Sequence, residues 1–159
     1  MKKHIIESEI TVCQPEELDA EARRLIEAAI EATHNSYAPY SRFHVGAALR
    51  LQDGTTVKGA NQENAAFPVT ICGERTAIFA AHAQYPGQAI TAIAIAAAND
   101  GGLTDMPVTP CGSCRQAMLE TEQRQQQPLT IYLYGTKAVY VVHGIRILLP
   151  LAFVDEDMR

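Results

Sequence analysis

The chain has 159 residues, 47% of them apolar, and a formal charge of −5 from 13 Lys plus Arg against 18 Asp plus Glu. That length favours one domain with its own core, and that composition excludes a disordered chain. There is no basic run to track phosphates, so a small substrate is expected rather than nucleic acid; no apolar run is long enough to span a bilayer, so no membrane partner is expected.

A single domain over 1–159 is expected, with 1–15 as an N-terminal extension in which Ile10, Val12 and Cys13 could form an edge strand. Met1-Lys2-Lys3-His4 runs into Ile5-Ile6-Glu7 without a signal-peptide core. Together with four cysteines, this start predicts a reducing, cytoplasmic setting in which metal or catalytic use outweighs disulfides. From Pro15, Leu18, Ala22, Leu25, Ile26, Ala29 and Ile30 recur every three or four residues, which predicts a helix ending before Pro39. Phe43 to Gln52 alternates with period two, Asp53-Gly54 predicts a hairpin turn, and 55–61 should return as the partner strand.

Cys72 to about Gln84 reads as an Ala-rich helix that Pro86-Gly87 breaks. Ala89 to Ala98 is a continuous apolar run, the pattern of a buried central strand. A polar loop over 99–109 follows, then a helix with Pro110 in its first turn behind a Thr109 cap, running to about Gln125. Gln123 to Gln127 reads as a solvated helix end. Strands are expected over 129–134 and 139–142, with a helical turn near 144–149. The order implies an α/β fold: a three-layer α-β-α domain with a mixed sheet of about five strands.

The chemistry is concentrated in Cys72-Gly73-Glu74 and Pro110-Cys111-Gly112-Ser113-Cys114. Three thiolates are one ligand short of a closed tetrahedral zinc site, and an open fourth position marks a catalytic site rather than a structural one. A carboxylate two residues after the first cysteine can reach a water there without binding the metal. Cys111 and Cys114 share a helix face, and helix N-termini favour thiolate over thiol. Cys-x-x-Cys alone would fit structural zinc or a redox pair equally well. The added Cys-x-Glu points to the deaminase pattern C-x-E … P-C-x-x-C, with Glu74 moving protons and zinc as cofactor. Arg75 could donate to the sulfurs and offset their charge, or could be an ordinary helix arginine. Cys13 is spare. His4, His34, His44, His82 and His143 show no spacing with the cysteines and read as surface or locally bonded.

With these motifs in place, the chain resembles the small zinc-dependent cytidine deaminases, the homotetrameric type of the cytidine/deoxycytidylate deaminase superfamily. The resemblance spans about Leu25 to Phe153. It rests on Ser36-Tyr37-Ala38-Pro39-Tyr40-Ser41-Arg42-Phe43-His44-Val45-Gly46-Ala47-Ala48, Asn61-Gln62-Glu63-Asn64-Ala65-Ala66, the two cysteine motifs, and Leu148-Leu149-Pro150-Leu151-Ala152-Phe153. It implies hydrolytic deamination of cytidine and deoxycytidine to uridine and deoxyuridine in pyrimidine salvage. It also implies a homotetramer with sites built across subunit contacts. By motif position it implies Cys72, Cys111 and Cys114 as zinc ligands, Glu74 as proton shuttle and Arg75 as donor to the cysteines. It places Phe43 against the pyrimidine, the Gly73 amide near the base, and Asn61 and Glu63 on the ribose hydroxyls. Phe67 and Phe153 fall where similar enzymes offer aromatic rings to a neighbouring subunit's site.

Three features depart from that pattern: Gly73 where Ala is usual, Phe67 where Tyr is common, and a longer N-terminus and Gly101-Gly102 loop. From the residues alone, Asn61 and Glu63 could as well form a polar turn, and Phe43 could be core. A deaminase of another aminopyrimidine nucleoside or nucleoside antibiotic, a non-catalytic zinc-binding module, and a Cys111/Cys114 redox protein are the rival readings.

Overall fold

Alternation along the strands sets the architecture in the computed structural model, which describes Met1–Met158. The described residues form three α-helices, α1 (Ala20–Ala32), α2 (Gly73–Gln84) and α3 (Gly112–Gln125), and seven strands. The strands are β1 (Thr11–Cys13), β2 (His44–Leu51), β3 (Thr56–Ala60), β4 (Ile90–Asn99), β5 (Gly102–Leu103), β6 (Thr130–Tyr134) and β7 (Val139–His143). They form one mixed sheet in the order β1-β7-β6-β4-β2-β3, with β5 paired to the end of β4. Only β4 and β6 are parallel, joined through α3; the other pairs are antiparallel.

β4 shows how the two faces divide. Ile93 and Ile95 join a core with Leu49, Ile78, Met118 and Leu133, on the face that α2 and α3 cover. Ala92, Ala94 and Ala96 point the other way, against Leu25, Ile26 and Ala29 of α1. The small side chains let α1 lie close to the sheet. Gly46 carries this furthest: a Cβ there would run into the Ala29 carbonyl and the Thr33 amide. On the other face, a Cβ on Gly59 would meet the Gly73 carbonyl at 2.6 Å and the Ala77 amide closer still. These two glycines set the depth at which both helix layers rest.

The three layers and the mixed sheet match the expected fold class, but the strand count is seven rather than about five. Beyond those five are β1, the edge strand expected in the N-terminal extension, whose Thr11–Cys13 pairs with β7, and β5, an unexpected two-residue return inside the polar loop. The first helix starts five residues later than expected. Pro15–Glu17 form a separate 3-10 turn, Leu18 is extended, and the Asp19 carboxylate accepts from the Ala22 amide at 2.7 Å as the true N-cap. The third helix also starts later, because Cys111 rather than Thr109 occupies the cap.

The glutamine-rich end of α3 is not simply solvated. Gln125 accepts from the Ile90 amide at 2.9 Å and donates to the Ile90 carbonyl at 2.7 Å, standing in for a strand partner at the start of β4. One oxygen of Glu122 accepts from the Leu129 and Ile145 amides, both at 2.9 Å. Together these side chains fix α3, and with it Cys111 and Cys114, to the strand ends. No described helix is long and apolar enough to cross a membrane.

Candidate active site

Two helix N-termini meet over the sheet. Cys72 caps α2, and Cys111 caps α3 with Cys114 in its first turn. The Sγ atoms of Cys72 and Cys111 are 3.8 Å apart and those of Cys111 and Cys114 are 3.5 Å apart; all three lie within 4.8 Å of one another. With zinc–sulfur bonds of about 2.3 Å, the corners of a tetrahedron lie about 3.8 Å apart. The donor set therefore fits zinc in both chemistry and spacing. None of the three is in a disulfide. No other His, Cys, Asp or Glu among the described residues joins the group. Cys13 lies on β1, bonded to the Val139 carbonyl. The cluster thus offers three sulfur donors, one fewer than a closed tetrahedral site needs, which is the donor count of a catalytic zinc site.

The local field favours the thiolate of Cys72. The Cys72 thiol is held down to about 5, first by a hydrogen bond from the Cys114 thiol, then by the Arg75 guanidinium and Cys111. Arg75 Nη2 donates to Cys72 Sγ at 3.8 Å. That contact gives Arg75 a place beside the sulfurs rather than in solvent. The Cys114 thiol is pushed up by the same bond to Cys72, then by burial and the negative charge of Glu74. Cys114 is fully buried while Cys111 is exposed, so the group opens to solvent on the Cys111 side.

Glu74 sits in the first turn of α2, only 4% exposed. Burial first, and the neighbouring Cys72 charge second, push its carboxyl above the ordinary range. A carboxyl whose proton affinity is raised suits a group that must hold a proton before passing it on. Gly73 precedes it, and a Cβ there would stand 2.7 Å from the Val45 carbonyl. The glycine thus lets the start of α2 press against β2, a packing reason that the sequence did not disclose.

The segment leading into β2 is tied to the end of β3 by one side chain. Asn61 Oδ1 accepts from the Val45 amide at 2.8 Å and from the Ser36 hydroxyl at 2.6 Å. Asn61 Nδ2 donates to the Phe43 carbonyl at 2.9 Å. Glu63 Oε2 accepts from the Tyr40 and Ser41 amides at 2.8 and 3.2 Å. The Ser41 hydroxyl and these amides hold the Glu63 carboxyl below its usual range, so it stays ionised. Asn61 and Glu63 therefore shape the turn that carries Phe43, and each keeps hydrogen-bonding capacity beyond those bonds. Phe43 itself is half-buried just before β2.

Phe67 and Phe153 are 69% and 59% exposed, unusual for such large rings. Phe67 meets Tyr40 edge to face at 5.7 Å, and the Phe153 carbonyl accepts from Gln116 of α3 at 2.9 Å. Of the five histidines, His44 pairs with Ser36, His82 with Arg124 and His143 with Thr130. Sequence reasoning missed two participants. Ser36 holds Asn61; it opens the Ser36-to-Ala48 segment, but nothing in that segment signals the bond. Arg115 donates to the Pro110 and Leu148 carbonyls at 2.8 and 2.5 Å and to the Thr109 hydroxyl, joining the Cys111 loop to the segment that leads to Phe153. Its place directly after Cys114 was the available clue.

A family model described as the cytidine and deoxycytidylate deaminase zinc-binding region matches residues 19–127. A cytidine deaminase from Halalkalibacterium halodurans is 42% identical over 135 residues, covering 85% of this chain and 96% of that protein. One from Sporosarcina psychrophila is 38% identical over 138 residues, covering 87% and 95%. Among solved structures, a cytidine deaminase from Burkholderia pseudomallei superposes with a TM-score of 0.71 at 40% identity, covering 86% of this chain and all of that one.

Proposed function

The chain belongs to the cytidine and deoxycytidylate deaminase family, and from that premise we propose how its residues perform the reaction. It is a zinc-dependent hydrolase that converts cytidine and water to uridine and ammonia. The same site is proposed to take deoxycytidine to deoxyuridine. The observation that carries the assignment of roles is the meeting of two helix starts, one bringing Cys72 and Glu74, the other Cys111 and Cys114.

Cys72, Cys111 and Cys114 would hold zinc, with Arg75 offsetting the charge of three sulfurs. Zinc, when bound, supplies the Lewis acidity that lets water lose a proton near neutral pH. Glu74 accepts that proton and passes it to the ring nitrogen beside the carbon that bears the amino group. The water oxygen bonds to that carbon. Glu74 then takes the remaining proton from the added oxygen and delivers it to the amine, the carbon–nitrogen bond breaks, and ammonia leaves. One carboxylate thus acts first as base and then as acid.

Phe43 packs on the pyrimidine, and the Gly73 amide lies near the base. Asn61 and Glu63 bind the ribose hydroxyls with the hydrogen-bonding capacity that the turn leaves them. The fixed negative charge of Glu63 disfavours a 5′-phosphate nearby, which supports a nucleoside substrate.

Exposed Phe67 and Phe153 serve a neighbouring copy's site in a homotetramer. A groove of about 680 Å³ between α2 and α3, lined by Ile78, Phe79, Ala83 and Ala117 among others, supports this reading, because it leaves an apolar face of both helices to be covered. We further place the protein in the cytoplasm, in pyrimidine salvage, as one domain over 1–159 with residues 1–15 an extension.

A substrate panel read by ultraviolet absorbance tests this assignment. Cytidine and deoxycytidine are expected to turn over, with kcat/KM falling at least about tenfold for cytosine and for cytidine 5′-monophosphate. Equal turnover of the 5′-monophosphate would remove Glu63 from the ribose site.

A further inference from the structure

The polar network behind Asn61 runs one step further than the nucleoside site requires. Ser36 lies just after α1 and its 3-10 extension, at Thr33–Asn35, and its hydroxyl donates to Asn61 Oδ1 at 2.6 Å. A serine has one hydroxyl hydrogen, and here Asn61 takes it. The contact between Ser36 Oγ and His44 Nδ1 at 3.1 Å must then run the other way, with His44 donating. Nδ1 of His44 therefore carries a proton. The chain of donors is His44 to Ser36 to Asn61.

The network also fixes which way the Asn61 amide faces. Its oxygen receives two donors, the Val45 amide and the Ser36 hydroxyl, and its nitrogen donates to the Phe43 carbonyl. Reversing the amide would set its NH₂ against two donors and its oxygen against a carbonyl. The second amide hydrogen of Nδ2 is thereby left in one defined direction. Val45 alone could hold the oxygen, but a single bond leaves rotation about the carboxamide less constrained than two.

We propose that Ser36, oriented by His44, is a positioning residue for the nucleoside sugar: it locks the Asn61 carboxamide so that the remaining Nδ2 hydrogen meets a ribose hydroxyl. This rests on the ribose reading of Asn61 given above. His44 lies on the α1 side of β2, since Ala48 of the same parity faces α1. The geometry of the sugar site is therefore set partly from the far face of the sheet.

The test compares competitive inhibition by uridine and by 2′,3′-dideoxyuridine, which lacks both hydroxyls, using the zinc-loaded full chain with cytidine as substrate. Zinc content and thermal unfolding are recorded for every variant. Ser36→Ala is expected to reduce the preference for uridine over the dideoxy compound about fivefold, the effect of one neutral hydrogen bond. The KM for cytidine should rise more than kcat falls. Ser36→Thr, which keeps the hydroxyl, should restore the preference. His44→Ala, which acts on the same link and keeps the proposal testable if Ser36→Ala fails to fold, should reduce it by a smaller factor.

Equal weakening of both inhibitors in Ser36→Ala would show a general structural role and overturn the proposal, as would an unchanged preference or a loss in Ser36→Thr equal to that in Ser36→Ala. Asn61→Ala separates the two levels. If it abolishes the preference while Ser36→Ala does not, the positioning role fails and the ribose reading stands. If Asn61→Ala retains the preference, the ribose reading fails and takes the proposal with it.

Discussion

The role proposed for Glu74 depends on where α2 begins. In the first turn, beside Cys72 and almost out of solvent, its carboxyl is shifted toward neutrality while remaining close to the sulfurs. Glu74→Gln is nearly isosteric and removes only the ability to carry protons. It is expected to fold and to retain one zinc per chain while losing at least about a hundredfold in kcat. Metal analysis beside a cytidine absorbance assay checks this; normal turnover would remove Glu74 from the mechanism. Cys114→Ala should behave differently. Cys114 is both buried and a proposed ligand, and metal binding energy is also folding energy. Zinc content should fall and the melting temperature should drop by more than about 5 °C, given about 2–4 °C per kcal/mol for a chain of this size. The cysteines and Glu74 were legible because their chemistry depends on residue type at fixed spacing. The Ser36–Asn61 bond was not, because it joins positions 25 apart that are brought together only by the start of β2 and the end of β3.

At the scale of elements, β2, β3 and β4 were readable from period two, the Asp53-Gly54 turn and the apolar run, since each signal is local. The start of α1 was misplaced because the apolar spacing continues back to Leu18, whereas the backbone obeys the Asp19 cap. β5 was missed because two residues carry no period at all. Gln125 looked like surface because a glutamine run signals solvent, while its geometry at Ile90 depends on where α3 ends. Close helix–sheet approach was equally hidden. Gly59→Ala would force its Cβ against the α2 backbone, so it is expected to cost about 1–3 kcal/mol. Denaturant unfolding measures this, and an unchanged midpoint would show that α2 can move away from β3 without penalty. Because α2 carries Cys72 and Glu74, activity should fall as well.

For the whole molecule, the sheet does two jobs. One face seats α1 through alanines and Gly46; the other seats α2 and α3, whose N-termini converge on one metal position. In the proposed tetramer, the groove on α2 and α3 and the two exposed phenylalanines are the faces that further copies would cover. Phe79, 49% exposed on that groove, is the point to test. Phe79→Arg is expected to lower the mass found by sedimentation from a tetramer toward smaller species. A wild-type monomer, or a tetramer unaffected by Phe79→Arg, would remove this groove from the assembly. The sequence suggested an assembly only through family resemblance, since no pattern within a single chain encodes which surface a second copy covers.

If three sulfurs hold a metal with one position open to the reaction, turnover depends on zinc, and chelation followed by graded zinc return measures that dependence. Ammonia release from cytidine should vanish in the stripped protein and rise in proportion to bound zinc, levelling at one ion per chain. Full turnover without metal, or a zinc-saturated protein that releases no ammonia, would show that the three sulfurs do not form the metal centre of the reaction.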